Sequence, residues 1–241
     1  MNRRLFSSAV RRLVAVVADM VAPRYCEQCR CRLAVGERLF CTTCLMLLPR
    51  TGDEQSPTDN PAVRKLWGRV NVERGVSFAV YTPHVSFAAA VYAMKYGDRP
   101  DVAEDFGRLI ASELGASGVF DGIDVIVPLP LHRRRERERG YNQSACLAHG
   151  IGRVTGIPVC DDAVVRTRYT PSQTTLASDA RASNVDGAFS LVRPERIKGR
   201  HVLLVDDIIT TGASMAACAA AMACCGDITL SFLTIGRTAD T

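Results

Sequence analysis

The chain has 241 residues, 47% of them apolar and 23% charged, with a formal net charge of +5. That length builds one large domain, or one domain with a small module, and the balance of apolar and charged residues excludes a disordered or fibrous chain. The positive charge, carried mostly by arginine, is compatible with an anionic partner and does not require one.

The first 23 residues, "MNRRLFSSAVRRLVAVVADMVAP", begin like a signal peptide, with arginines before an apolar stretch. Arg11 and Arg12 interrupt that stretch and Asp19 ends it, leaving a run too short to span a bilayer, so no transmembrane segment is expected. Leu5, Phe6, Ala9, Leu13, Val16, Val17 and Met20 can share one helical face, which predicts an amphipathic helix over 1–23 that packs on the protein. A peripheral membrane role is the lesser alternative.

A cysteine-rich module follows over residues 24–50. Five of the ten cysteines fall between Cys26 and Cys44, and the others lie in apolar or helical surroundings, which argues for a reducing, cytoplasmic compartment. Cys26-x2-Cys29 and Cys41-x2-Cys44 offer four thiolates in two knuckles, the donor set of a closed, structural zinc site. So short a segment cannot fold on its own core, so the metal would supply the folding free energy. Cys31, two residues beyond Cys29, is an alternative to it, and free thiols or disulfides are the competing readings.

The polar stretch "RTGDEQSPTDNPAVRK", with two prolines, reads as a loop or linker. From about residue 70 strands and helices alternate. "VSFAVYTP" is a strand, "HVSFAAAVYAMKYGD" and "VAEDFGRLIASELGASG" are helices, and "GIDVIVPLP" is a short buried strand stopping at Pro128. "LHRRRERERG" reads either as a solvated charged loop or as a basic patch. "YNQSACLAHGIGRVTG" is a helix weakened by its glycines, and "RTRYTPSQTTLASDARASNVDGAF" is a long polar excursion of the kind that carries function. "GRHVLLVDD" is a strand, "ASMAACAAAMACCG" a small-residue helix and "DITLSFLTIG" a last strand. The alternation predicts an α/β fold, a parallel central sheet flanked by helices, with its ligand beyond the carboxyl ends of the strands.

The most informative stretch is "VLLVDDIITTGAS", Val202 to Ser214. It predicts a buried strand ending at Asp206, then a loop, then a helix from about Ala213. Two adjacent carboxylates repel each other, so they need either solvent or a ligand that offers donors. A Thr-Thr-Gly loop opening a helix is a phosphate cradle: Thr210, Thr211 and Ser214 add hydroxyls, and Gly212 permits close approach. Carboxylates beside such a cradle suit sugar hydroxyls, and together the two fit a ribose 5-phosphate.

This stretch resembles the phosphoribosyl-pyrophosphate (PRPP) motif of type I phosphoribosyltransferases. The resemblance implies that Asp206 and Asp207 hold the ribose, that Thr210, Thr211, Gly212, Ala213 and Ser214 hold the 5-phosphate, and that magnesium accompanies PRPP. "PRYCEQC", "CTTC", "AMKYGD", "VPLPLHRRRERERGYNQS" and "RYTPSQTTLASDARASNVDGAF" look like segments that mark the ComF/GntX family, in which a four-cysteine (double zinc ribbon-like) module precedes a phosphoribosyltransferase-like domain, here 70–241. The resemblance makes Arg139 and Lys95 candidates for pyrophosphate. It makes Arg166, Ser172, Gln173, Arg181 and Asn184 candidates for a flexible segment over the site. Some members of that family are linked to uptake of transforming DNA, so single-stranded DNA or DNA-uptake machinery are implied partners.

No catalytic residue can be named: His132 and His149 are lone histidines, and the phosphate loop carries Ile208-Ile209 where some transferases place an acid. Two readings stay open. One is transfer of a phosphoribosyl group from PRPP to an unidentified acceptor. The other is a non-catalytic PRPP- or nucleotide-sensing accessory protein in DNA uptake. Oligomeric state is not legible.

Overall fold

The computed structural model describes residues 23–168 and 187–239. The helix expected over 1–23 therefore lies, but for its last residue, outside the described residues, as do Ser172, Gln173, Arg181 and Asn184.

Four parallel strands form the central sheet: β1 (Arg74–Tyr81), β2 (Val125–Pro128), β5 (His201–Ile209) and β6 (Thr229–Thr238), in the order β1-β6-β5-β2. Val202 to Val205 of β5 are fully buried, and successive residues face opposite ways. Leu203 and Val205 join one core with Ile126, Leu233 and Ile235, while Val202 and Leu204 join a second with Val127, Leu230 and Phe232. Both faces are covered, which is why the strand reads as a continuous apolar run.

Helices α4 (Pro100–Leu114) and α6 (Gln143–Thr155) cover the first face through Phe106, Ile110, Leu147 and Ile151. Helix α3 (Ala88–Tyr96) extends that layer through Val91 and Met94. Helix α7 (Ala213–Ala223) covers the second face with Met215, Cys218 and Met222. A short antiparallel pair, β3 (Val164–Arg166) and β4 (Phe189–Leu191), holds together the two ends of the polar excursion.

Three local expectations change. The stretch expected as a linker is packed structure: a 3₁₀ turn, Asp53–Gln55, precedes α2 (Pro61–Arg64). Buried Asn60 caps α2 by accepting from the N–H groups of Ala62 and Val63, both at 3.0 Å, and donates to the carbonyls of Ser56 and Gly75. Pro61 thus stands at the first helical turn rather than in a loop. The run "RRRERER" is a helix, α5 (Arg133–Arg139), which buries no side chain and is capped by His132. Strand β5 continues to Ile209, so Asp206 and Asp207 lie within it and only Thr210 to Gly212 intervene before α7.

The cysteine module shares the sheet's first core. Leu33, Leu39, Phe40 and Leu48 are buried there, and Phe40 packs edge-on against Phe106 with centroids 5.6 Å apart. A helix of five residues, α1 (Thr42–Met46), closes the module. Arg50 grips Glu113 of α4 with two hydrogen bonds, at 2.7 and 2.6 Å.

The glycines of α6 have a packing role. A Cβ on Gly150 would clash with the carbonyl oxygen of Glu104, and one on Gly107 with that of Leu147. The backbones of α4 and α6 touch at this crossing, so their cost in helix propensity is offset by the approach they permit. Gly150→Ala is expected to destabilise the protein by about 1–3 kcal/mol through overpacking, despite alanine's better propensity. Urea unfolding monitored by circular dichroism checks this; a gain in stability would mean that the crossing tolerates a methyl group.

Candidate functional site

The site forms where β5 leaves the sheet. Asp207 is 5% exposed. Its Oδ2 accepts from Gln143 Nε2 at 3.0 Å, and its Oδ1 lies 3.1 Å from Lys95 Nζ. Asp206 Oδ1 accepts from Ser144 Oγ at 2.9 Å and from the Asp207 N–H at 2.8 Å. Gln143 and Ser144 open helix α6, so the carboxylates also face the positive end of that helix dipole. Asn142 fixes this end: its side chain accepts from the Ser144 N–H and donates to the Leu129 carbonyl.

The pair is therefore largely withdrawn from solvent, Asp207 buried and Asp206 half-buried. The protein itself supplies the donors that the two carboxylates need. The price of the arrangement falls on Asp206, whose pKa is pushed up to about 7 by burial and then by the neighbouring Asp207 carboxylate. Burial opposes the charge on Lys95, but the carboxylates of Asp207 and Asp206 outweigh it and hold the ammonium above its ordinary pKa.

Lys95 and Arg139, the two sequence candidates for a diphosphate, come together. They line one cavity of about 660 Å³ with Tyr96, Asp98, Arg135 and Arg137. Arg139 also donates to Gln143 Oε1 and stacks over the Tyr96 ring, 5.7 Å from its centroid. A relay thus runs from Arg139 through Gln143 to Asp207, with Lys95 on the other carboxylate oxygen. Arg166, at the end of β3, is the one flap candidate among the described residues. Burial and then Arg135 lower its pKa, while Asp206 opposes that shift.

The loop Thr210–Ser214 is braced from outside the sheet. Gly212 takes a left-handed φ of 73°, and a Cβ there would stand 2.9 Å from Leu66 Cδ2 and 3.0 Å from the Lys65 carbonyl oxygen. Arg69 donates to the Thr211 carbonyl at 3.0 Å. Gly212 offers no capping side chain to α7, so an anion could serve as the cap. His132 and His149 stand apart in structural roles, the first capping α5 and the second against Asp161 at 2.9 Å.

Gln143 and Ser144 were not singled out from the sequence. The available signal was Asn142 as a helix cap, which places the next two polar side chains in a first turn that points at the strand end.

In the cysteine module, the sulfurs of Cys26, Cys29, Cys31 and Cys41 lie within 4.8 Å of one another. A zinc–sulfur bond of about 2.3 Å sets tetrahedral sulfurs about 3.8 Å apart, so this donor set fits a metal such as zinc. The cluster includes Cys31 in place of Cys44. The Cys44 thiol nevertheless interacts with those of Cys29, Cys41 and Cys26, and burial followed by these thiols raises its pKa. Hydrogen bonding first to Cys29 and then to Cys41 pushes Cys31 up to about 12, whereas the backbone at Cys31 lowers Cys29.

The DNA utilization protein YhgH of Escherichia coli K12 is 32% identical over 207 residues, covering 82% of this chain and 89% of that protein. The chain belongs to the ComF family. Competence protein F of Haemophilus influenzae is 39% identical over 93 residues, 38% of this chain and 41% of that protein. ComFC of Bacillus subtilis is 29% identical over 91 residues, 38% of this chain and 35% of that one. No family model matches the chain. Among solved structures, the glutamine PRPP amidotransferase of Bacillus subtilis aligns at 21% identity and a TM-score of 0.39 over 58% of this chain and 30% of that one. An adenine phosphoribosyltransferase aligns at 19% and 0.38, over 58% and 72%. Among the described residues of this ComF protein, no helix is long and apolar enough to cross a membrane.

The raised Asp206 pKa has a consequence for stability. The folded protein holds this proton more tightly than the unfolded chain, so the contribution is full below about pH 4 and is lost as pH rises through about 7. Asp206→Asn keeps an acceptor oxygen and removes the like charge. The variant is expected to match the parent near pH 4 and to exceed it in thermal stability at pH 8. Parallel stability curves for the two proteins would contradict the assignment.

Proposed function

We propose that this ComF protein binds PRPP, or a closely related phosphoribosyl ligand, at the end of β5. The observation that carries the reading is a pair of adjacent carboxylates beside a glycine-opened helix N-terminus, with Lys95 on Asp207 directly and Arg139 reaching it through Gln143. In the proposed complex Asp206 and Asp207 accept the ribose hydroxyls, and Thr210 to Ser214 take the 5-phosphate. Arg139 and Lys95 meet the diphosphate. Ser144, Gln143 and Lys95 occupy the carboxylates without ligand and would share them with the sugar.

Magnesium would arrive on the diphosphate and neutralise charge that the arginines share. Transfer to an acceptor would pass through an oxocarbenium-like state at C1 of the ribose, with the diphosphate leaving. The chain's own contribution would be to orient the ribose and to stabilise the leaving charge. The acceptor is not legible from the side chains at the site, and a purely sensing role uses the same contacts.

Calorimetry with PRPP and with ribose 5-phosphate tests the placement. Loss of one charge-assisted acceptor is worth roughly 1.5–3 kcal/mol, so Asp206→Asn should weaken both ligands by about ten- to a hundredfold. Arg139→Ala should weaken PRPP far more than ribose 5-phosphate, which lacks the diphosphate. Unchanged affinity in folded Asp206→Asn would remove the ribose role, and equal losses for both ligands in Arg139→Ala would move that residue off the diphosphate. Asp207 is a poorer test, because its amide would remove the ion-pair partner of half-buried Lys95.

The second reading, a role in DNA handling, is supported by one surface and by the names of the relatives. Tyr92 and Tyr96 are 65% and 59% exposed, with ring centroids 5.0 Å apart, beside the arginine-rich helix α5. Exposed aromatic rings flanked by arginines suit unpaired bases and their phosphates. Charge removal at Arg133, Arg134 and Arg135 should weaken single-stranded DNA binding and flatten its salt dependence. An unaltered salt slope would exclude α5 from such a contact.

We also propose that the cysteine cluster holds one structural zinc and that the protein works in the reducing cytoplasm. Metal analysis of protein prepared without chelator should give about one zinc per chain, and a chelator should lower the melting temperature of the whole protein, because the module shares its core with the sheet. Metal-free protein with an unchanged melting curve would overturn the assignment.

A further inference from the structure

The cluster has one thiol more than a tetrahedral ion can take. Cys29 Sγ lies 3.2 Å from Cys31 Sγ and 3.7 Å from Cys41 Sγ. The sulfurs of Cys26, Cys29, Cys31 and Cys41 form one mutually close tetrad. Cys44 completes the Cys41-x2-Cys44 knuckle, and its thiol interacts with those of Cys29, Cys41 and Cys26. Cys31 and Cys44 are thus two candidates for the one place left beside Cys26, Cys29 and Cys41.

The local backbone explains the surplus. Residues 26–31 form a tight turn closed by two hydrogen bonds, Cys26 N–H to the Cys31 carbonyl at 2.8 Å and Arg30 N–H to the Cys26 carbonyl at 2.9 Å. Arg30 takes a positive φ of 60°, which lets Cys29 and Cys31, two residues apart, present their sulfurs to the same point. Cys44 comes from helix α1, whose last residue Met46 and the following Leu47 are 78% and 73% exposed. Cys26 is fully buried, Cys29 and Cys31 are exposed, and Cys41 and Cys44 are half-buried. Buried Cys26 anchors the site, and the two interchangeable donors reach it from different segments, the 26–31 turn and helix α1.

We propose that the metal centre has three fixed ligands, Cys26, Cys29 and Cys41, and a fourth position for which Cys31 and Cys44 compete. The exchange is a simple ligand substitution: one thiolate leaves the ion as the other enters, with the proton passing from the incoming thiol to the departing sulfur through solvent. The centre then keeps its metal when either Cys31 or Cys44 is alkylated or oxidised. Cys44 can also leave the ion without emptying the site. This inference rests on the metal reading above.

The test uses the full chain with Cys31→Ser, Cys44→Ser and both together, loaded with cobalt as a spectroscopic stand-in for zinc. The thiolate-to-cobalt charge-transfer band counts coordinated thiolates. Each single variant should bind one ion with the full four-thiolate band of the parent. The double variant should lose about a quarter of that intensity and bind more weakly, by at least the ~10–100-fold that loss of a supporting group costs. Alkylation read by peptide mass spectrometry provides a second measure: Cys31 should react readily in the metal-loaded parent and be protected in metal-loaded Cys44→Ser.

A three-thiolate band in Cys44→Ser, or Cys31 alkylated there as fast as in the parent, would overturn the exchange and leave a fixed set with Cys44. A three-thiolate band in Cys31→Ser would fix Cys31 instead. A parent chain that takes up neither cobalt nor zinc would overturn the metal site itself, which separates that failure from failure of the exchange.

Discussion

Strand β5 carries two neighbouring carboxylates to the end of a sheet that is covered on both faces, and the structure around that end is arranged to hold them. Two like charges in a dry place are tolerable only where donors and countercharge meet them. Lys95 from α3, Gln143 and Ser144 from α6, and the N-terminal end of α6 itself supply these. They come from two helices, so placing the carboxylates places α3 and α6 as well. The remaining tension stays on Asp206, whose raised pKa records burial and the adjacent charge. A site that retains unrelieved charge is poised to accept hydroxyl donors from outside, and that is the trade between stability and binding expected where side chains serve a ligand.

The same economy appears in the packing. Helix α6 can bring its first turn to β5 only if it lies close against α4, and Gly107 and Gly150 permit that by letting the two backbones touch. Helix α4 in turn carries Phe106, which meets Phe40 of the cysteine module, so the module, α4, α6 and the strand end form one mechanical chain. On the opposite face, the capped turn at Asn60 sets Lys65 and Leu66 behind Gly212 and so fixes the loop that opens α7. The segment that reads as a linker is thus the buttress of the proposed phosphate loop.

Much of this was legible in the residues alone. Alternating strands and helices, and an apolar run at Val202–Val205 that leads into Asp206 and Asp207, specify a covered parallel sheet whose buried strand carries two adjacent carboxylates, because periodicity and charge placement are local properties of the chain. The order of Asp-Asp and Thr-Thr-Gly likewise marks the proposed ligand edge, since backbone conformation there follows from glycine and from the start of a helix. Two knuckles of cysteines announce a thiol cluster of the kind that fits a metal for the same reason: the spacing within each knuckle is local.

Tertiary structure decided what depends on residues far apart in sequence. Only the fold brings Lys95, 112 positions before Asp207, to its carboxylate, and makes Gln143 and Ser144 part of the site. Glycines that lower helix propensity within α6 proved to be its contact with α4, because propensity is a property of one helix and close approach a property of two. "RRRERER" is a helix rather than a loop, since the fold supplies a cap at His132 and a left-handed stop at Gly140. Which cysteines surround the cluster was settled by a turn at Arg30 and the approach of α1, neither of which the spacing encodes. The sequence by itself determined the chemistry available at each position; the tertiary structure decided which of those groups share a point in space, because burial and proximity are properties of pairs.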